Sequence, residues 1–548
     1  MKKILVILSA AAMAFAVCSC SSAEKMAKQA ENVIVKCNPS PYALKGGLIP
    51  VDITVTYPKD YFNAKAILEV TPVIVYADGE AALDPIMYRG EKVKNNYKTV
   101  PTKGGVVKEA LCFPYKDGMQ NSYMELRGRC STNNGNVWVD LPTKKVADGC
   151  YITETLAGSQ GYYDYKDHNY QAIINLAPEG QVMYTINSSK VRKSELNSES
   201  VNDFQIALKE ARSNSRKQIK NIEVVAYASP DGPEAKNNQL SADRSKTAKK
   251  AFDKVTKDRD LQDIETTVKS IGEDWEGFQQ LVAQSDIEDK DLILRVLNMY
   301  NDPKVREKEI RNIASVFQEV AEDVLPQLRR ARFIANVEFI NYNDAELQKI
   351  LRENSDILDE PALLKAATLC YESNDKVAIY EEAIERFNSD RARYNLVCVA
   401  LDENNNDKAA KLLEDCDDTD PDVINLEGVI AMRQGRWVTA KEKFQAAKTA
   451  AAQKNLGVCA ILGGNYAEAV TACGDKGTDA ALANLLNGNP TKAMTCLDGV
   501  ESPTADYIRA ICHKRLGESL ESQVALKKAC DADPKLAKRA ETDIEFAK

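Results

Sequence analysis

Asn237, Ser241 and Arg244 stand at i, i+4 and i+7, a spacing that puts three polar side chains on one helix face, directly after the turn Ser229-Pro230-Asp231-Gly232. An arginine on such a face can grip a carboxylate through two parallel N–H bonds. Other chemistries are poorly supplied. The only two histidines, His168 and His513, lie far apart and neither is near a nucleophile motif. That leaves little for His-based zinc sites or for a histidine general base. No Gly-rich phosphate loop follows a strand. The 14 cysteines show no metal-type spacing. No cofactor, no metal and no enzymatic role are expected.

The elements that must position that face come from a long chain. At 548 residues it is too long for one core and argues for about three domains. Charged residues at 28% and hydrophobic ones at 44% fit folded domains, and the net charge of −9 fits poorly with a nucleic-acid partner.

Residues 1–19 read as a signal peptide. Lys2 and Lys3 precede an apolar run from Ile4 to Val17, too short to span a bilayer as a helix but right for a secretory core segment. Cleavage before Cys18 would follow a branched Val17, which suits a signal peptidase badly; Val17-Cys18-Ser19-Cys20 instead resembles the bacterial lipobox. The resemblance implies a mature N-terminus at Cys20, acylated on sulfur and amine, with residues 20–32 as a lipidated linker. Several acyl chains anchor firmly where one is marginal. The alternative is a plain secretory signal with incidental cysteines. Ser21 and Ser22 resemble lipoproteins sent to an outer membrane, and the linker lacks a dense acidic export tag, so a periplasm-facing orientation is expected.

Residues 33–178 alternate with period two. Val51 to Tyr57, Ala66 to Val73, Met124 to Gly128 and Val137 to Leu141 are separated by turn signals such as Asp117-Gly118 and Asn134-Gly135. Short strands at this spacing predict a β-sandwich of immunoglobulin-like type. It contains no catalytic constellation.

Residues 179–342 predict β-α-β-α-β-(helices)-β, with helices packed on one face of a small sheet. The strands are Val182 to Ile186, Ile222 to Tyr227, Thr266 to Ile271 and Arg332 to Ile340, and the first helix runs from Ser198 to Lys217. This segment resembles the OmpA-like, peptidoglycan-associating domain family. The resemblance rests on Val225 to Gly232, on Asn237, Leu240, Ser241 and Arg244 in N-x-x-L-S-x-x-R spacing, and on the pair Arg329 and Arg330 before the last strand. It implies that the helix face receives the diaminopimelate of a peptidoglycan stem peptide, with Arg244 on the carboxylate and a turn aspartate on the ammonium. Ser229 stands at the aspartate's place, with Asp231 two residues on, so the cation partner is lost unless Asp231 supplies it. The turn Gly272 to Phe278 and the long helical insertion before the last strand resemble the variant in Bacteroidetes lipoproteins. Trp275 and Phe278 read as core.

Residues 343–548 are helical and repetitive. Gly428, Gly435, Trp437, Ala440, Phe444 and Ala447 resemble the small-and-aromatic pattern of a tetratricopeptide unit, and Gly457, Gly464, Tyr466, Ala469 and Cys473 repeat its offsets. Asn404, Gly435, Gly464, Gly488 and Gly517 mark turns at intervals of 31, 29, 24 and 29, shorter than the usual 34. The resemblance implies a groove for protein or peptide partners. Cys459 with Cys473, and Cys512 with Cys530, are candidates for disulfides across hairpins; the competing reading makes them small buried apolar residues.

The whole chain thus reads as multidomain: an N-terminal β-sandwich, a central α+β OmpA-like domain and a C-terminal all-α tetratricopeptide solenoid. The expected function is an outer-membrane lipoprotein that associates with peptidoglycan and recruits envelope proteins through its repeats. The alternative is an assembly scaffold of an outer-membrane or secretion complex whose central domain has lost its ligand.

Overall fold

The computed structural model describes residues 22–546, apart from 133, 231–232, 257–263, 288–289, 300–304, 306–307, 310–311 and 314–319. The signal peptide, Cys20 and Asp231 therefore lie outside the described residues, as does part of the expected helical insertion. The chain forms two compact units. One joins the chain up to Lys166 with Ile384 onward; the other is Asp167–Ala383.

The first unit begins with two sheets. One is ordered β1–β3–β8 (Ile34–Asn38, Leu48–Tyr57, Gly105–Pro114). The other is ordered β2–β11–β9–β4–β6–β7 (Tyr42–Ala43, Lys144–Tyr151, Ser122–Ser131, Ile67–Tyr76, Ile86–Arg89, Lys98–Thr99), with β5 (Gly79–Ala82) on β4 and β10 (Val139–Asp140) on β9. Alternation decides which side is buried. In β3 the side chains of Ile49, Val51, Ile53, Val55 and Tyr57 all point into the core that Leu68, Ile74, Met124 and Cys130 enter from the other sheet. After β11 a short 3-10 turn, Thr153–Leu156, leads into irregular chain through Lys166.

The second unit holds one mixed sheet. β12 (Ile173–Leu176) and β13 (Glu179–Met183) both pair antiparallel with β16 (Arg330–Ile340), which pairs antiparallel with β14 (Lys217–Ala228); β14 pairs parallel with β15 (Thr266–Glu273). The sheet thus starts before residue 179, because Ile173–Leu176 finds its edge on β16 and not in the sandwich. Helices α1 (Glu199–Ser213) and α2 (Glu234–Val255) cover one face. Ser198 caps α1 by accepting from the Val201 N–H. Phe204 of α1, Phe252 of α2 and Phe333 of β16 meet with ring centroids 5.5–6.4 Å apart, the spacing of offset and tilted aromatic pairs. The helix α3 (Trp275–Gln284) follows β15, and Phe278 is fully buried beside Val282 and Leu325. Three further helices, α4 (Asp344–Glu353), α5 (Glu360–Thr368) and α6 (Ser373–Phe387), follow β16.

The rest of the first unit is an all-helical array of hairpins. They are α7/α8 (Asp390–Asp402, Asn406–Leu413), α9/α10 (Pro421–Arg433, Trp437–Ala447), α11/α12 (Ala450–Leu462, Tyr466–Ala472), α13/α14 (Thr478–Leu486, Pro490–Cys496) and α15/α16 (Pro503–Leu516, Ser519–Ala532), closed by α17 (Pro534–Ala540). The turn residues do what their types allow. Asn404, Gly435, Gly464, Gly488 and Gly517 have φ of 56°, 74°, 72°, 84° and 84°, the left-handed conformation that glycine and asparagine tolerate best.

The expected disulfides Cys459–Cys473 and Cys512–Cys530 do not form. Among the described residues all twelve cysteines are free thiols. A Cβ on Gly457 would lie 2.3 Å from the Cys473 sulfur, so Cys473 packs on the Gly457 backbone. Burial pushes the thiols of Cys473 and Cys512 up to about 12, as expected of inert fillers.

Candidate functional site

The turn after β14 and the first half of α2 enclose a cavity of about 200 Å³ lined by Ile186, Asn187, Ser229, Lys236, Asn237, Leu240, Arg244 and Arg329. The predicted residues Asn237, Ser229 and Arg244 meet there. Three cationic side chains share the lining, which suits an anion.

Arg244 is 1% exposed. It donates from Nε to the Ser188 carbonyl at 2.9 Å, from Nη1 to the Tyr227 carbonyl at 2.9 Å and from Nη2 to the Thr185 carbonyl at 3.4 Å. Its guanidinium also lies over the Tyr184 ring, 4.9 Å from the centroid. Burial pushes the Tyr184 phenol up to about 12, so it stays a neutral donor to the Arg244 carbonyl. Arg244 therefore ties α2 to the segment after β13 as well as lining the cavity.

Asn237 donates to the Ser229 carbonyl and to Glu273 Oε1, both at 3.0 Å, while Glu273 accepts from the Trp275 indole. Ser241 is fully buried, outside the cavity lining; it accepts the Gly272 N–H at 3.1 Å and donates to the Asn238 carbonyl. It fastens β15 to α2. Gly272 has φ 75°, and a Cβ there would lie 2.3 Å from Asn238 Oδ1, so glycine is required. Ser229 is 4% exposed and its Oγ has no hydrogen-bond partner among the described residues.

The two adjacent arginines before β16 divide their work. Arg330 donates twice to Asp274 Oδ2, at 3.0 and 2.9 Å, and Asp274 also caps α3 by accepting from Gly277. Arg329 lines the cavity. Sequence reasoning did not single out Lys236, an exposed residue that also lines the cavity. Among the described residues no cluster of His, Cys, Asp and Glu is arranged to hold a metal. None of the described helices is long and apolar enough to cross a membrane.

No protein-family model matches the chain, and no curated protein matches it. Among solved structures, a tetratricopeptide repeat protein from Parabacteroides merdae ATCC 43184 aligns with 12% identity and a TM-score of 0.29, covering 43% of this chain and 98% of that one. The APC/C hetero-tetramer Cut9–Hcn1 aligns with 16% identity and a TM-score of 0.25, covering 55% of this chain and 63% of that one.

Proposed function

We propose that this protein is a lipid-anchored envelope protein that associates with peptidoglycan through the cavity beside α2 and engages protein partners through its helical array. The observation that carries the first half is the lining: Arg244, Arg329 and Lys236 converge on one small cavity. A stem-peptide carboxylate is an anion of suitable size for it. Anchoring through Cys20, placement at the outer membrane and the absence of catalysis belong to the same reading.

A second reading has its own observation. Arg244 is buried on three backbone carbonyls, and Ser229 stands where the family resemblance would place an aspartate, so the fold can persist as a scaffold with no glycan-peptide ligand.

Sedimentation of the full chain with purified sacculi separates the two. Wild-type protein should pellet with sacculi. Lys236→Glu combined with Arg329→Gln, at sites that are exposed and half-buried, should release it severalfold while leaving the circular dichroism unchanged. Ser229→Asp should raise retention by giving the ammonium a partner. Wild-type protein that stays wholly in the supernatant sinks the peptidoglycan reading and leaves the scaffold.

A further inference from the structure

The face of the array built by the first helices of its hairpins is not bare. Residues 156–166 of the same compact unit lie along it, and they are held mainly by their backbone. Asn395, Asn425 and Asn455 occur at intervals of 30, one per hairpin on α7, α9 and α11, and are 3%, 1% and 0% exposed. Asn455 accepts the Tyr162 N–H at 2.6 Å and returns a bond to the Tyr162 carbonyl at 2.9 Å; Asn425 donates to that same carbonyl at 2.9 Å. Asn395 accepts the Lys166 N–H at 2.8 Å and donates to its carbonyl at 3.3 Å. On α13, Asp479 accepts the Gly158 N–H at 2.9 Å and the Tyr162 hydroxyl. The chain is therefore gripped at 158, 162 and 166 and runs opposite to the order of the hairpins.

A carboxamide that both accepts from the N–H and donates to the C=O of one residue reads backbone, not side chain. Side chains then add selectivity. The hydroxyls of Tyr163 and Tyr165 both donate to Asp402 at 2.6 Å. Lys166 reaches Asp420 at 3.0 Å and Asp422, with the Tyr394 ring 5.1 Å away. Leu156 and Ala157 join the apolar core of the array. Gly161 has φ 82°, and a Cβ there would lie 2.9 Å from Val429, so a side chain at that point is strained and pressed against Val429. With the segment gone, Asn395 would lose both of its bonds to Lys166, and Asn425 and Asn455 would keep only the 3.0 Å bond that Asn455 donates to Asn425.

We infer that this face is a binding site for an extended peptide of the pattern glycine–tyrosine–tyrosine–any residue–tyrosine–lysine, and that the chain's own residues 156–166 occupy it in cis. A partner peptide of that chemistry is admitted only when the internal segment is displaced. A tethered segment competes at a high effective concentration, so the site is closed by default. The inference rests on the reading of the helical array as a partner-binding surface and stands apart from the peptidoglycan reading, because every contact in it lies within the first unit.

The test uses the full chain and a fluorescent synthetic peptide copying residues 156–167. A variant carrying Gly161→Val, Tyr162→Ala, Tyr163→Ala and Lys166→Ala should bind it at least about tenfold more tightly than wild type, read as anisotropy. Adding Asn425→Ala and Asn455→Ala to that variant should return binding to the wild-type level. Equal binding by wild type and the opened variant, or binding indifferent to the asparagines, overturns the inference. Amide exchange guards against a variant that fails to fold. In wild type the amides of Gly158, Tyr162 and Lys166 should exchange slowly, and Asn455→Ala alone should speed Tyr162 while leaving Lys166 slow. Unprotected exchange at Tyr162 in wild type also overturns it.

Discussion

Asp479 is a buried carboxyl whose ionisation contributes a pH-dependent term to the stability of the first unit. It is 4% exposed, and burial holds its carboxyl above the usual range, opposed by the Tyr162 hydroxyl and the Gly158 N–H. A carboxyl whose pKa is higher folded than unfolded binds more protons in the native state between the two values. Its contribution to stability is therefore present at low pH and falls as pH rises through that interval. Asp479→Asn keeps an acceptor for Gly158 and a donor for the Tyr162 oxygen while removing the charge. The variant should be more stable than wild type at neutral pH, with the gap closing as pH drops into the carboxylate range. Urea midpoints measured across that range check this, and a gap that widens on acidification refutes it. At this scale the sequence revealed only part of the picture. The i, i+4, i+7 spacing brought Asn237, Ser241 and Arg244 to one side of α2, but not that Arg244 bonds the carbonyls of Thr185, Ser188 and Tyr227. Carbonyl positions in irregular chain leave no trace in residue type, whereas helical periodicity does.

Among the elements, the helix hairpins were the most legible because their turns need left-handed backbone and their crossings need small residues. Gly428 lies against Phe444 and Gly457 against Cys473, each sixteen positions on, with a Cβ at the glycine falling 2.5 and 2.3 Å from the facing side chain. The pattern that suggested a repeat is thus the close approach itself. The same contact undoes the disulfide expectation, since Cys473 is occupied with filling the space beside Gly457. Gly457→Ala should cost about 1–3 kcal/mol through overpacking. Cys473→Ala in the same chain should recover much of that loss, giving a clear coupling in a double-mutant cycle. Additive losses in denaturant unfolding would show that the two residues do not press on each other. The strands read from alternation, Val51 to Tyr57, Ala66 to Val73, Met124 to Gly128 and Val137 to Leu141, overlap β3, β4, β9 and β10, whereas β1, β8 and β11 were not among them. The segment 156–166 was not readable, because irregular chain has no period; its only signature is the 30-residue interval of Asn395, Asn425 and Asn455 on the helices that receive it.

At the scale of the whole molecule, the first unit is assembled from the two ends of the sequence, with Asp167–Ala383 inserted between them. Its two parts are joined through buried groups. Glu154, 2% exposed, accepts the Gly46 N–H at 3.1 Å from the sandwich and the Tyr466 hydroxyl at 2.8 Å from the array. Thr153 donates to Glu545 at 2.6 Å, and Glu545 also accepts from Arg515. Arg539 donates to the Ile152 carbonyl at 2.8 Å and to the Thr155 hydroxyl at 2.7 Å. Burial holds the Glu154 carboxyl above its usual range, and the Tyr466 hydroxyl is the first of the groups that oppose the shift. Removing that hydroxyl leaves a buried acceptor short of a partner, a loss of about 1.5–3 kcal/mol for a bond to a charged group. If sandwich and array unfold as one body, Tyr466→Phe must lower the exchange free energy of β3 amides and α9 amides by the same amount, although Tyr466 sits in the array alone. Native-state hydrogen exchange measures both in one experiment. A loss confined to the α9 amides would mean that the two ends of the chain fold independently and merely touch.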